Sequence, residues 1–588
     1  MFTRYFQQEL EFLRQLGREF AREHPTLAPF LADLGSDPDV ERVLEGTAFL
    51  TGAIRQKLED DLPELMHTLL DMLCPHYLRP IPSTTIVEFV HPEKPRVAST
   101  QRIAATTTEL ESVPVDGTPC RFRTTSDVSF HPLRLVQASL ESGGRGALRL
   151  RLEWLANAKP DELRLDPLRL HLHGDLPTAS TLWLWLLRHV EAVEIEVPRK
   201  SGPPTRSRVV GRPATIRPVG LGETDALLPY PPHSFPGYRL LQEYFTLPQK
   251  FLFVDVAGIP PLASLEPEGG FELWFRFRER PPESLRVSTD NVRLHCTPAV
   301  NLLSCDAEPI RLDHRQSSYY LRPADRSPDH FEVYTVDRVE GLAHGTGERR
   351  EYLPFNSFRH GMAADDRAVY YTMKREPAVG RPNSDCSMGF VTVEARGTLP
   401  QVETLSVGLT CTNRRLSEGL KPGDVRRHVE TSPQFAEFRN IGPLTVSVLP
   451  PLQDGFLWRL VSHLSLNLSS LQSPEALRGV LSLYDFHALH DRQAARASQL
   501  RLEAISSVSS RAADRVFRGT PMRGIATRIE LVEERFASEG ELYLFGSVLE
   551  EFLALYVTVN AFSQLTVRGA SHGEIYEWPA RVGRQFIL

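Results

Sequence analysis

The chain has 588 residues, too many for one hydrophobic core, and at about 150 residues per domain three or four domains are expected. Its 67 basic and 74 acidic side chains leave a net charge of −7 with neither sign gathered into a block, which argues against a nucleic-acid protein with a basic stripe. Six cysteines (Cys74, Cys120, Cys296, Cys305, Cys386, Cys411) lack C-x-x-C spacing, so zinc ribbons and thiol redox motifs are not expected and a reducing compartment is.

Segment 1–82 reads as helical. Phe6, Leu10, Leu13, Gly17 and Phe20 step by four, three, four and three, a heptad-like seam with Glu9, Glu11, Arg14, Arg18 and Glu19 on the other faces. One reading packs this helix on its own domain. The other makes Phe6, Leu10, Leu13 and Phe20 partner-binding residues, because a terminal helix ended by His24-Pro25 has little local core to cover it. A second helix starts at Asp37-Pro38, where Asp37 accepts from free first-turn amides and Pro38 has the φ favoured just inside a helix. Its stripe is Val40, Val43, Leu44, Leu50, Ile54 and Leu58. A third helix over about 62–73 turns Leu62, Met66, Leu69, Leu70 and Leu73 inward, and Pro75 stops it.

From Ser83 the period changes to two. Thr85-Ile86-Val87-Glu88-Phe89-Val90, Leu148 to Leu152 and Leu168 to His173 alternate as strands. Segment 83–200 is therefore expected to be β-rich, with a short helix near 178–190. Segment 201–234 is Pro/Gly-rich and aperiodic, a candidate linker. Next comes a middle β-rich domain, 235–400, opening on a short helix at Phe235 to Phe245 and a strand at Pro248 to Phe253, with an exposed excursion at 341–383. A C-terminal α+β domain, 401–588, closes the chain, its last helix burying Phe545, Val548, Leu549, Phe552 and Tyr556. The fold class is α+β, multidomain: N-terminal helices, several β-rich domains, then a C-terminal helix and strand. The 46 prolines suit many short strands.

Chemistry is sparse. His171 and His173 share one side of a strand with Asp175 following, but spacing anchors no further metal ligand. Cys74 and His76 flank Pro75 on an extended segment, where side chains one step from a shared neighbour do not set up proton transfer readily. Glu59, Asp60 and Asp61 lack the graded spacing and glycine bend of a calcium loop and read as helix-capping acids beside Arg55 and Lys57. His344 to Glu348 is no phosphate-cradling loop, and H-E-x-x-H and G-x-S-x-G are absent. No catalytic residue, cofactor or metal is expected. Without a signal peptide or a long apolar run, the chain reads as cytoplasmic and not directly inserted in a membrane.

Several blocks resemble TssF, the type VI secretion baseplate subunit family also called ImpG or VasA. The family opening reads D-P-D-V-E-R-L-x-E-G-x-A-F-L, K-L-D-D-D-x-P-E-L and Y-P-H-Y-x-R-P-x-P-S, and residues 37–50, 57–65 and 74–83 follow it, departing at Glu59 and Cys74. Gly237-Tyr238-Arg239-Leu240-Leu241-Gln242-Glu243-Tyr244-Phe245 with Pro248-Gln249-Lys250-Phe251-Leu252-Phe253 is a second block. Trp578-Pro579-Ala580-Arg581-Val582-Gly583 matches the family's ending except at Ala580. The resemblance implies a cytoplasmic wedge component docked at the inner membrane through the baseplate. Its implied partners are TssG (two TssF per TssG), TssK, TssE, the VgrG hub and a second TssF copy, with no nucleic acid. It implies, too, a role in nucleating and triggering the contractile sheath. Two other readings stand beside it: a wedge protein of a tailed phage or phage-derived injection device, and a cytoplasmic enzyme acting on a bulky polymer.

Overall fold

A computed structural model describes residues 6, 7, 10, 13, 42–51, 69–141, 143–156, 158–159, 162–198, 205–209, 216–231, 234–261, 269–324, 326–327, 329–344, 347–355, 369–378, 384–392, 402–452, 460 and 471–583. Two compact units divide the chain: residues 1–74 with 452–462, and 75–451 with 463–588. In the smaller unit, Phe6, Leu10 and Leu13 are helical, as are residues 42–51 and 69–73. Gly17, Phe20, Val40, Ile54, the 57–61 charged run, Leu62 and Met66 lie outside the described residues.

The larger unit is built from β-sheets with five principal helices: α1 (Leu176–Leu184), α2 (Pro236–Thr246), α3 (Pro474–Leu483), α4 (Arg492–Glu503) and α5 (Glu539–Ala554). Local chemistry sets their starts. Asp175 accepts from the Thr178 amide at 3.1 Å to cap α1, Ser473 from Ala476 at 3.1 Å to cap α3, and Ser538 from Glu541 at 3.1 Å to cap α5. Pro236 opens α2, where a missing amide hydrogen costs nothing.

Thr84–Val90 is a strand as its sequence predicts, but it is buried on both faces rather than on one, and both its neighbours are remote: it pairs with Cys296–Val300 on one side and Glu437–Asn440 on the other. The full six-stranded order is Val425–Arg427, Glu109–Val115, Thr118–Thr124, Cys296–Val300, Thr84–Val90, Glu437–Asn440. Val87, Phe89, Phe122, Phe130 and Phe438 fill the core against it. A five-stranded sheet joins Val190–Val197, Gly270–Phe277, Ala147–Trp154 and Leu133–Glu141, with Thr205–Val209 at its edge. A four-stranded sheet runs Ile216–Val219, Phe253–Val256, Leu168–Leu172, Val292–Arg293. The 201–234 segment thus supplies a strand to each of two sheets. Pairing with a partner, not internal periodicity, orders it.

Leu303 to Thr412 forms an eight-stranded sheet around Met388, Leu405, Val407 and Leu409. Within 341–383 the strands Arg349–Pro354 and Val369–Pro377 belong to this sheet and pair in parallel. At the C-terminus Ile505–Phe517, Thr520–Leu531, Ala561–Gly569 and Ile575–Glu577 follow in order, with Arg581–Val582 beside Ala561–Gly569. The pair Thr520–Leu531 and Ala561–Gly569 is parallel, and α5 is the connection between them. Helix α5 buries Phe545, Val548, Leu549 and Phe552 as expected, whereas Tyr556 falls just past its end.

Candidate assembly surface and buried hub

The block at 237–253 owes its composition to a buried charge cluster. On α2, Arg239 and Glu243 are one turn apart, and the chain returns through Pro248 to place Lys250 against the same carboxylate. Lys250 donates to Glu243 Oε2, while Glu243 Oε1 accepts the amides of Leu227 at 2.7 Å and Leu228 at 3.1 Å. Arg239 donates to the carbonyls of Glu223 at 3.2 Å and Gly222 at 3.4 Å. The Glu243 and Lys250 side chains are sealed from water, 0% and 1% exposed. Burial pushes the Lys250 ammonium below its ordinary range and the Glu243 charge opposes that. Removing one member of such a cluster typically costs about 3–5 kcal/mol, because the survivors stay buried and uncompensated.

Aromatic rings meet this cluster at Tyr230, over which Arg239 lies, and pack along the start of α2. Tyr238 stacks on Tyr484 at 4.7 Å, Phe235 meets Tyr556 at 4.5 Å, and the Tyr556 hydroxyl donates to that of Tyr238 at 3.1 Å. The 75–83 block feeds the same region. Tyr77 donates to the Leu483 carbonyl at 3.0 Å and sits edge-on to Phe486 at 4.8 Å, and His76 Nε2 pairs with the Tyr230 hydroxyl at 3.0 Å. Motif residues 76–77 and 238–250, with Tyr484 and Phe486, therefore tie remote stretches of chain together.

The residues considered for chemistry are scattered. His171 is in the core against Phe253 at 4.3 Å, with burial pushing it down to about 3, while His173 is half-buried with its ring 6.0 Å away. Asp175 is occupied as the α1 cap. Burial pushes the Cys74 and Cys120 thiols up to about 12, well away from a nucleophilic thiolate. Glu59, Asp60 and Asp61 lie outside the described residues. A cavity of about 790 Å³ between Thr100, Asp127, Arg169 and Asp255 is polar. Its charges largely satisfy one another: Arg102 pairs with Asp127 at 2.8 Å, and Arg169 with Asp255 at 2.8 and 2.9 Å.

The N-terminal helices differ from the amphipathic hairpin expected of them. Over 42–51, Ala48 is buried and Leu44 half-buried, but Val43 and Leu50 are 67% and 64% exposed. Over 69–73, Leu70 is buried, whereas Leu69, Met72 and Leu73 at i, i+3 and i+4 share one outward face, Leu73 being 49% exposed. Leu50, Leu69 and Leu73 were expected inward. Helical period identifies an apolar stripe but not whether the chain's own core or another surface covers it. These helices have two apolar sides, the pattern of an element buried all round. Phe6, Leu10 and Leu13 are half-buried on their helix, and Phe20 lies outside the described residues. Among the described residues no helix is long and apolar enough to cross a membrane.

The class of the protein, a structural component, comes from its relatives rather than from any catalytic constellation. The chain matches the family described as type VI secretion system, TssF, over residues 1–585. It is 32% identical over 627 residues to type VI secretion system component TssF1 of Pseudomonas aeruginosa, spanning 98% of each chain. Two solved structures are similar. One is a TssK-TssF-TssG baseplate subcomplex (TM-score 0.75, 33% identity, 93% of this chain and 99% of that one). The other is a type VI secretion baseplate complex (TM-score 0.62, 30% identity, all of both chains). The chain belongs to the TssF family, a structural component of the type VI secretion baseplate.

Proposed function

We propose that this chain is a wedge scaffold that holds TssG and TssK in the baseplate, with the N-terminal helices as its joint to TssG. The observation that carries this is the outward apolar face at Val43, Leu50, Leu69, Met72 and Leu73. Each such side chain gains roughly 1.5–3 kcal/mol when fully buried, so a handful suffices to hold a partner helix. Phe6, Leu10, Leu13 and Phe20 extend the joint, their heptad spacing matching what a neighbouring helix needs for knobs-into-holes packing. The similar TssK-TssF-TssG structure supports the choice of partners. Two copies of the chain gripping one TssG, contacts with TssE and the VgrG hub, docking at the inner membrane from the cytoplasm, and a part in triggering the sheath complete the reading. The role is mechanical, with no chemical turnover.

Co-expression with TssG tests it. Val43→Asp with Leu50→Asp, or Leu10→Asp with Leu13→Asp, abolishes co-purification while the far-UV spectrum of the β-sheets is kept. Unchanged co-purification by both pairs sinks the joint.

A further inference from the structure

The hairpin of Ile505–Phe517 and Thr520–Leu531 turns on two residues, Arg518 and Gly519, with φ of 48° and 86°. Such a two-residue turn keeps the strands in register to the tip. Strand Ile505–Phe517 is the border of its sheet. It pairs with Thr520–Leu531 on one side and, among the described residues, with no strand on the other. Thirteen residues is a long open edge, of the kind sheets usually shorten or cover.

Charge gathers at the same place. The hairpin holds Arg511, Arg515, Arg518, Arg523 and Arg528 against Asp514 and Glu530, in a chain of net −7. Pairing of Ser509 with Arg528, Arg511 with Ala526 and Arg515 with Met522 puts Arg511, Arg515 and Arg528 on one face. The opposite face carries the buried Ile529 and Leu531, beside Val567, which Gly546 of α5 approaches. The arginine face therefore points away from the core. Arg515 has only a distant carboxylate, Glu577 at 4.0 Å. Arg511, Arg518, Arg523 and Arg528 are exposed and form no ion pair among the described residues.

From this coincidence of open backbone and exposed cations, of which only Arg515 has a carboxylate within 4.0 Å among the described residues, we infer that the outer edge of Ile505–Phe517 docks an extended acidic segment of another protein. The segment's backbone continues the sheet, and its carboxylates meet Arg511, Arg515 and Arg528. A nucleic acid would use the arginines but leave the strand's free amides and carbonyls unmatched, so the polypeptide is the better fit. The inference goes beyond the scaffold reading and does not depend on the N-terminal joint.

The test uses the full chain and three probes: a short peptide alternating valine and glutamate, the same peptide with lysine for glutamate, and single-stranded DNA. The glutamate peptide is expected to bind and to slow amide exchange along 506–516, while Arg511→Glu with Arg528→Glu weakens it by about tenfold. Equal binding of the lysine peptide, unchanged exchange along 506–516, or tighter binding of DNA overturns the proposal. Should the double variant misfold, the exchange pattern of the unmodified chain decides alone.

Discussion

Residues 42–51 and 69–73 and the hub around α2 solve opposite problems with opposite materials. The first exposes leucines that water disfavours, while the second seals Arg239, Glu243 and Lys250 where water cannot reach them. A buried cluster is completed within the chain, so its cost and reward are settled when the larger unit folds. On the proposed reading the outward apolar face is left incomplete, and its reward arrives only with another surface. Stability and assembly are thereby separated, and substitutions should fall cleanly into one class or the other.

The hardest blow should come at the hub. Glu243→Ala strips the carboxylate from two buried cations and two amides, and a loss of about 3–5 kcal/mol is expected in denaturant unfolding. A loss below 1 kcal/mol would show that water reaches the cluster. Next is the contact of α5 with α1, where a Cβ on Gly540 would lie 2.2 Å from the Ser180 carbonyl carbon. Gly540→Ala should cost about 1–3 kcal/mol by overpacking, read as a lowered thermal midpoint.

Acid sharpens the comparison further. Burial pushes His131 and His487 down to about 4 and His171 to about 3, below the unfolded value of about 6.5. The unfolded chain then binds more protons, so their stabilisation is full above about pH 6.5 and drains as pH falls toward 4. Glu550, pushed up to about 7 by burial, works in the other sense between pH 7 and 4.5, but it is one group against several. His171→Phe should flatten the slope of stability below pH 6.5 by about 1.4 kcal/mol per pH unit, and an unchanged slope would remove His171 from the acid response. The smallest effect belongs to the other region. Val43→Asp with Leu50→Asp should change the stability of the isolated chain by less than about 0.5 kcal/mol per site, and a large loss would mean that the chain's own core covers these residues.

Much of the local structure was legible, because period is a local property. Strands 84–90, 148–152 and 168–172, the helix at α1 and the helix opened by Pro236 all follow from alternation, capping or proline, whereas Pro248–Phe251, expected as part of a strand, is a short 3-10 helix and the strand starts at Phe253. Pairing partners were not legible. Nothing in Thr84–Val90 names Glu437–Asn440, since a strand's pattern specifies a face and not a neighbour. The i, i+4 spacing of Arg239 and Glu243 does not distinguish an interior pair from a surface one; the return of Lys250 against the same carboxylate accompanies their burial. The arginine hairpin was missed because its turn is Arg518-Gly519, without the asparagine or aspartate that usually marks such a loop. The exposure of Leu50, Leu69 and Leu73 was hidden for a different reason: a leucine looks the same whether or not the chain's own core covers it.

The central sheet carries a consequence for synthesis. Thr84–Val90 leaves the ribosome early, yet one of its neighbours, Glu437–Asn440, is translated some 350 residues later. At about 5–20 residues per second, that strand waits tens of seconds with an unpaired border. Any fragment ending before residue 437 therefore keeps that border bare.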